Sequence, residues 1–126
     1  GCQHYETSQF MFYKRNIDTA AYLILWQVGV AGDRSLAKFT TDSEYRKVLI
    51  NLLAEYYSLD HGVILYEAAT LPIQRNRIEY LPIRALPDAC MDLKTTLIIP
   101  PATKAELNMT LLAELENVTR IRSDNS

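Results

Sequence analysis

The stretch YLILWQVGVAGD, residues 22–33, decides how the rest of the chain folds. Its first half is an apolar run with β-branched and aromatic members, which predicts a buried strand in a sheet covered by helices on both faces. The run then passes through Gln27, Val28 and Gly29 into a turn. In open α/β sheets, ligands bind where the chain leaves the carboxyl end of a strand. Residues 27–32 therefore form either an ordinary turn or one wall of a ligand crevice.

Length, composition and charge limit the kind of protein. At 126 residues and 48% hydrophobic content, the chain can bury one core. The net charge is −2 and the basic residues are scattered, which argues against nucleic acid as a partner because phosphate binding needs concentrated lysine and arginine. Three small basic clusters are predicted to be solvated surface: Lys14-Arg15, Arg46-Lys47, and Arg75 with Arg77.

The cysteines, histidines and apolar runs bear on location and metals. Cys2 and Cys90 build no disulfide framework, which is typical of a reducing compartment. Neither cysteine has a CxxC partner and His4 lies far from His61, so we predict no metal site. No apolar run reaches the roughly 18 residues of a membrane span, and the first residues lack the pattern of a signal peptide. We therefore expect a cytoplasmic protein without a membrane partner.

A helix and a second strand follow the opening stretch. The first strand is predicted over residues 22–28, and Thr41 with Glu44 forms a capping box that begins a helix of about 15 residues. Its apolar positions form one stripe: Tyr45, Val48, Leu49, Leu52, Leu53 and Tyr56. Residues 62–67, GVILYE, predict a second buried strand. Strand, helix and strand form a βαβ unit, which implies two parallel strands joined by a right-handed crossover.

The remaining segments extend this unit. Residues 77–83 and 95–101 predict two further strands, and residues 88–91 a short helix. A capping box at residues 103–106 predicts a last helix, whose apolar face comprises Leu107, Leu111, Leu112 and Leu115. The amphipathic residues 1–15 predict an opening helix. The predicted fold class is therefore α/β, with a mixed, mostly parallel sheet and helices on both faces.

Several catalytic patterns are absent from the sequence. It has no GxSxG, HExxH or P-loop motif, and its four glycines cannot form a GxGxxG phosphate loop. Glu67 ends a buried strand, and two interpretations of it stay open. It is either a carboxylate of a binding site or a structural partner for backbone or an arginine.

The remaining indication of a ligand site comes from three predicted strand ends. They are residues 27–29, 67–70 and 95–96. The small side chains of Ala68 and Ala69 let a flat ligand approach the backbone, whose amides and carbonyls can then bind an adenine-like edge. Such junctions are common, so these features also fit a turn without a ligand.

Four segments carry a family resemblance. GCQHYE (1–6), LILWQVG (23–29), VILYEAATLPIQRNRIEYLPIRALP (63–87) and TTLIIPP (95–101) resemble, in this order, the carboxyl half of tetrapyrrole-methylase-type S-adenosylmethionine-dependent methyltransferases. The resemblance implies that the chain has the fold of that family's second domain. It also implies that residues 1–20 are the end of an amino-terminal domain with a linker helix, 21–118 a cofactor-binding α/β domain, and 119–126 a flexible tail.

The resemblance also implies the residues of the site. The cofactor would be S-adenosylmethionine, with S-adenosylhomocysteine as product. The residues implied to contact it are Gln3, Gln27, Val28, Ala68, Ala69, Thr95 and Thr96. His4 and Tyr5 are implied to contact substrate. The catalytic residues would lie in an amino-terminal half that these residues do not include, so the chain alone is expected to be inactive.

The motifs GCQ, LWQVG and IPPA are more similar to the branch of borosin peptide N-methyltransferases. This resemblance implies methylation of backbone amide nitrogens, with a peptide substrate, the missing amino-terminal half and a second copy in a homodimer as partners. Two alternatives remain. One is a tetrapyrrole C-methyltransferase of the uroporphyrinogen or precorrin type with a small-molecule substrate, and the other is a non-catalytic α/β interaction module.

Overall fold

The computed structural model describes residues 1–30, 43–69 and 72–124. These ranges contain five strands, three α-helices and two short 3₁₀ segments. The strands are β1 (Cys2–Glu6), β2 (Tyr22–Trp26), β3 (Gly62–Glu67), β4 (Arg77–Pro82) and β5 (Thr96–Ile99). The helices are α1 (Thr7–Phe12), α2 (Ser43–Leu53) and α3 (Met109–Asp124), and the 3₁₀ segments are Val28–Val30 and Ile83–Asp88.

The five strands form one mixed sheet in the order β1-β2-β5-β3-β4. The α/β class is confirmed, but the prediction of a mostly parallel sheet is wrong. Only the β1–β2 pair is parallel, whereas β2–β5, β5–β3 and β3–β4 are antiparallel. β2 and β3 do run in the same direction, as the βαβ pattern predicts. They are not neighbours because β5 lies between them and pairs with both.

One face of the sheet carries the core. Alternate residues of the three central strands lie on this face and are almost completely buried: Leu23, Leu25, Val63, Leu65, Leu97 and Ile99. Side chains of α1, α2 and the second 3₁₀ segment join the same cluster: Phe10, Leu49, Leu53, Ile83 and Leu86. β2 and β3, predicted as apolar runs buried on both faces, instead bury every second residue on this face.

The opposite face of the sheet is open in the described part of the chain. Trp26 of β2 is 53% exposed and Tyr80 of β4 is 76% exposed, while Ile64 and Ile98 between them are half-buried. The prediction of helices on both faces is therefore wrong for the described residues. α3 does not cover this face either, because every residue of it whose burial is described is exposed.

The amino end differs from the predicted helix. Cys2–Glu6 pairs with β2 in register, from Cys2 beside Tyr22 to Glu6 beside Trp26. The Glu6 carboxylate then accepts hydrogen bonds from the backbone N–H groups of Ser8 (3.2 Å) and Gln9 (2.9 Å), so it caps α1. Edge pairing to β2 thus prevails over the helical pattern of residues 1–6. The boundary at residue 20 between two domains stays a prediction.

The last helix begins later than predicted. Asn108, not Thr103, caps α3, because its side-chain oxygen accepts the N–H of Leu111 at 3.0 Å. The Thr103 hydroxyl instead lies 3.0 Å from the hydroxyl of Thr19. Residues 119–124, predicted as a flexible tail, continue the helix. The short helix predicted at residues 88–91 lies earlier, as the 3₁₀ segment Ile83–Asp88.

Two of the basic clusters are not wholly solvated. Arg46 of α2 is only 9% exposed and donates hydrogen bonds to the carbonyls of Ala89 (2.8 Å) and Pro87 (3.3 Å). It thereby ties α2 to the segment before β5. Arg77 at the start of β4 is engaged by two carboxylates. The prediction of solvated surface is wrong for these two arginines.

Candidate functional site

The three predicted strand ends meet at one edge of the sheet. β2 ends at Trp26 and β3 ends at Glu67, whereas β5 begins between them at Thr96. The register places Leu25 beside Leu97 and Tyr66 beside Thr96. The two strand ends and the start of β5 thus lie at the same edge because β5 runs antiparallel to both neighbours. We refer to residues 27–29, 67–69 and 92–96 as the strand-end edge.

Gln27 has an unusual backbone at this edge. Its φ of 55° lies in the left-handed region, and it is the only non-glycine residue with positive φ in the described ranges. The buried Thr7 hydroxyl donates to the carbonyl of Trp26 at 2.6 Å, and the N–H of Val28 donates to the carbonyl of Thr95 at 3.1 Å. Such strain costs on the order of 1–3 kcal/mol and persists only where the surroundings enforce it. These hydrogen bonds on either side of Gln27 enforce it here.

Gly29 fits a close approach of two backbones. A Cβ added at Gly29 would lie 2.6 Å from both the nitrogen and the carbonyl carbon of Asp92. Backbone atoms cannot move aside as a flexible side chain can, so a larger residue would push the two segments apart. Gly29 therefore allows the end of β2 to pack against the segment leading into β5.

Glu67 ties the other strand ends together. The hydroxyl of the buried Thr95 donates to its carboxylate at 2.7 Å and accepts the N–H of Asp92 at 2.9 Å. Arg77 donates to the same carboxylate oxygen at 2.8 Å, to the carbonyl of Cys90 at 2.6 Å, and pairs with Glu79. The hydrogen bond that Arg77 donates to Glu79 raises its pKa most, burial opposes this effect, and the hydrogen bond to Glu67 raises the pKa further. Of the two interpretations of Glu67, the structure shows the structural partner.

The predicted cofactor contacts among the alanines and threonines differ in their hydrogen bonds and their exposure. The N–H of Ala69 donates to the side-chain oxygen of Asn76 at 2.8 Å, whereas Ala68 is exposed. The N–H of Thr95 donates to the carbonyl of Asp92 at 3.2 Å, and its carbonyl and hydroxyl are also engaged. Thr95 is thus part of the framework of the edge. Thr96 is half-buried on the open face. Contact of these residues with a cofactor stays a prediction.

The remaining predicted residues lie elsewhere. Gln3 pairs with Leu23 and accepts the N–H of Asp18 at 3.2 Å, about 10 Å along β1 from the strand-end edge at 3.3 Å per residue. His4 stacks on Trp26 on the open face, with ring centroids 5.7 Å apart. Tyr5 lies on the opposite face, with its ring 5.9 Å from that of Phe10. Because neighbouring strand residues alternate, His4 and Tyr5 do not line one common surface.

Sequence reasoning missed three contributors to the edge: Thr7, Arg77 and Asp92. Thr7 and Arg77 act through Trp26 and Glu67, which belong to other strands and are marked by no local pattern, whereas Asp92 forms a local turn with Thr95. Within the described ranges, no group of three or more His, Cys, Asp or Glu side chains is placed to hold a metal ion. None of the helices in those ranges is long and apolar enough to cross a membrane.

Comparison with known proteins shows similarity to fungal methyltransferase/peptide precursors. The chain is 34% identical over 122 residues to the methyltransferase/ribosomally synthesized cyclic peptide gymnopeptides precursor of Gymnopus fusipes, covering 92% of this chain and 29% of that protein. It is 28% identical over 120 residues to the omphalotin A precursor of Omphalotus olearius, with the same coverage of 92% and 29%. It is 30% identical over 119 residues to a type III borosin cyclic peptide precursor of Anomoporia bombycina, covering 91% and 14%.

The chain thus spans less than a third of the length of these curated relatives. No family model matches it. Among solved structures, the methyltransferase CobJ superposes with a TM-score of 0.44 and 15% identity, covering 71% of this chain and 33% of that one. The similarity to borosin methyltransferase precursors that the motifs imply is confirmed. The sequence similarities do not test the tetrapyrrole-methylase assignment.

Proposed function

We propose that this chain forms one wall of the cofactor site of an S-adenosylmethionine-dependent methyltransferase that methylates backbone amide nitrogens of a peptide. The proposal rests on the strand-end edge. Its backbone is strained at Gln27, and the hydrogen bond between Thr95 and Glu67 joins two of its segments. The chain that carries it is similar to methyltransferase/peptide precursors. The described part is a packed α/β sheet with a continuous core. This supports our proposal that it corresponds to the methyltransferase portion of such proteins.

Gln27, Val28 and Ala68 are the residues that we propose to contact the adenosine of S-adenosylmethionine. The exposed Gln27 and Ala68 lie beyond the ends of β2 and β3, on either side of the start of β5, and the buried Val28 is proposed as the apolar floor. Thr95 and Glu67 hold these elements in place. The sulfonium of the cofactor is already an activated methyl donor, so positioning is the main task of this wall.

The base or polarising group for the amide nitrogen is proposed to lie outside this chain. An amide nitrogen is a poor nucleophile and needs deprotonation or stabilisation of its developing charge. The Glu67 carboxylate is already engaged by Thr95 and Arg77 and is a poor candidate for such a base. The chain alone is therefore proposed to be inactive, and an amino-terminal half is proposed as its partner.

The proposal is tested on the longest polypeptide that contains these residues. That protein is incubated with S-adenosylmethionine and a peptide, and fragmentation mass spectrometry locates each added methyl group. Methyl groups on backbone nitrogens are the expected result. Methylation confined to side chains would contradict the peptide-backbone assignment, and failure to bind S-adenosylhomocysteine in native mass spectrometry would contradict the cofactor site itself.

A tetrapyrrole C-methyltransferase is less well supported. Its substrate is flat and anionic, so it needs unpaired basic side chains around the crevice. Of the two described basic residues at the edge, Arg77 is neutralised by two neighbouring carboxylates, which leaves the exposed Lys94 alone to meet an anionic substrate. Incubation of the same protein with a tetrapyrrole precursor and labelled cofactor provides the direct comparison.

An interaction role has its own support in two uncovered apolar surfaces. One is the open face with Trp26 and Tyr80, and the other is α3, whose exposed apolar residues are Met109, Leu111, Leu112, Leu115, Val118 and Ile121. Exposed patches of this kind mark interaction sites. A homodimer is proposed on this ground, and light scattering at several protein concentrations tests it. A monomer at every concentration would contradict it.

A further inference from the structure

A cavity lies on the covered side of the sheet, away from the strand-end edge. It has a volume of about 620 Å³ and lies between α1 with the segment after it and the carboxyl end of α2. Its lining includes Phe10, Met11, Tyr13, Arg15, Leu52 and Tyr56, and no residue of the strand-end edge. The volume is within the range of pockets that hold small ligands.

Arg15 is the distinctive group of this cavity. Its guanidinium lies 4.3 Å from the centroid of the Tyr5 ring and 5.9 Å from that of Tyr13, so two aromatic faces hold it. Its Nε is buried and has no hydrogen-bond acceptor among the described residues. No ion pair to it occurs in the described part of the chain. The prediction that Lys14-Arg15 is solvated surface is wrong for this nitrogen.

The backbone of Arg15 is fixed as well. The hydroxyl of Tyr56 on the far wall donates to the carbonyl of Arg15 at 3.1 Å, which joins the two sides of the cavity. The cation is therefore held in position by its rings and by its own main chain. The Nε has no accessible surface, so a ligand in the cavity can reach the guanidinium only through its terminal nitrogens.

The chemistry of the walls defines the acceptor. Phe10, Met11 and Leu52 supply apolar surface beside the guanidinium, and Lys14 supplies a second cation. Glu55 also lines the cavity and disfavours a dianion such as phosphate. A guanidinium forms its strongest hydrogen bonds to a carboxylate, often with two parallel N–H donors.

We propose that this cavity binds a carboxylate carried on an aromatic or apolar body. Arg15 pairs with the carboxylate, Lys14 reinforces the positive charge, and the apolar wall holds the body of the ligand. A free organic acid and the carboxyl terminus of a polypeptide both present this chemistry. The site is separate from the proposed cofactor wall and does not depend on the proposed methyltransferase function.

The probe pair is N-acetylphenylalanine and its amide, which differ in the carboxylate alone. Calorimetric titration of the protein should show the acid binding at least about tenfold more tightly than the amide. In Arg15→Met, which keeps the apolar stem, that difference should vanish. Arg84→Met removes an exposed arginine paired with Asp60 outside this cavity and serves as the matched control. Equal binding of acid and amide, or no binding of either at millimolar concentration, would overturn the proposal.

A second measurement does not rely on a variant. In NMR spectra of the unmodified protein, the acid should shift the methyl signals of Met11 and Leu52, and the amide should not. Shifts of distant methyl groups instead would overturn the assignment to this cavity. A longer acetylated peptide ending in phenylalanine distinguishes a polypeptide carboxyl terminus from a free organic acid as the ligand. Tighter binding of the peptide acid assigns the site to a polypeptide terminus, and equal binding assigns it to a free organic acid.

Discussion

The two faces of the sheet are both apolar but differ in what covers them. On the covered face, Leu25, Leu65 and Leu97 are fully buried beneath helices. On the open face, Trp26 and Tyr80 are more than half exposed in the described structure. Apolar composition alone therefore does not show which face is a core. The difference teaches that burial, and not residue type, decides how much each side chain stabilises this fold.

The largest expected effect is the difference in stability lost when one side chain on each face is shortened to alanine. Leu65→Ala removes a side chain with no exposed surface and should lower the free energy of unfolding by about 2–5 kcal/mol. Ile78→Ala on the open face, where the side chain is 55% exposed, should cost less than about 1 kcal/mol. Urea unfolding of both variants measures the difference. Equal losses that grow with protein concentration would mean that a second copy covers the open face.

Substitution of Thr7, which bonds to the strand end at Trp26, should have the next largest effect on stability and on cofactor affinity. Thr7→Val keeps the shape but removes the donor to the Trp26 carbonyl, which should cost about 1 kcal/mol of stability. If Gln27 is part of the cofactor wall, the affinity of the full polypeptide for S-adenosylmethionine should also fall about tenfold, because a positioning contact is lost. Isothermal titration provides this measurement.

Thr7→Ser keeps the donor and is the matched control, with affinity expected close to that of the unmodified protein. A Thr7→Val protein that is less stable but binds the cofactor normally would separate the turn at Gln27 from cofactor binding.

Two neighbouring tyrosines give the smallest effect. The hydroxyl of Tyr57, which is 4% exposed, is buried without an acceptor among the described residues, whereas Tyr56 donates to the carbonyl of Arg15. Tyr57→Phe should leave stability unchanged or raise it by up to about 1 kcal/mol, and Tyr56→Phe should lower it by about the same amount. Thermal unfolding of the two variants compares them directly.

The same tyrosine makes stability depend on pH. Burial, and then the nearby Asp18, raises the pKa of Tyr57 above its ordinary value of 10.0. The unfolded chain therefore loses this proton first, and the free energy of unfolding should fall as the pH rises above about 10. Tyr57→Phe should weaken that fall relative to the unmodified protein. An identical alkaline slope in both proteins would contradict the assigned burial.

The sequence predicted some elements well because their periodicity is local. Residues 62–67 form a strand as expected, and the stripe of α2 packs into the core through Leu49 and Leu53. The limits of the strands were predictable for the same reason, whereas the contact of these residues with a cofactor stays a prediction. Gln27, Val28 and Thr95 do meet at one edge, whereas Gln3 lies along β1 and Tyr5 on the other face.

The sequence by itself determined the strands β2, β3 and β5 and the helix α2, because their patterns are local. Alternation of apolar residues is the same in either chain direction, so only the tertiary structure decided that β5 runs antiparallel between β2 and β3. The same holds for the Glu67–Thr95–Arg77 cluster, since its members come from separate segments and meet only after the strands pair. Local patterns set periodicity, and long-range pairing sets which side chains become neighbours.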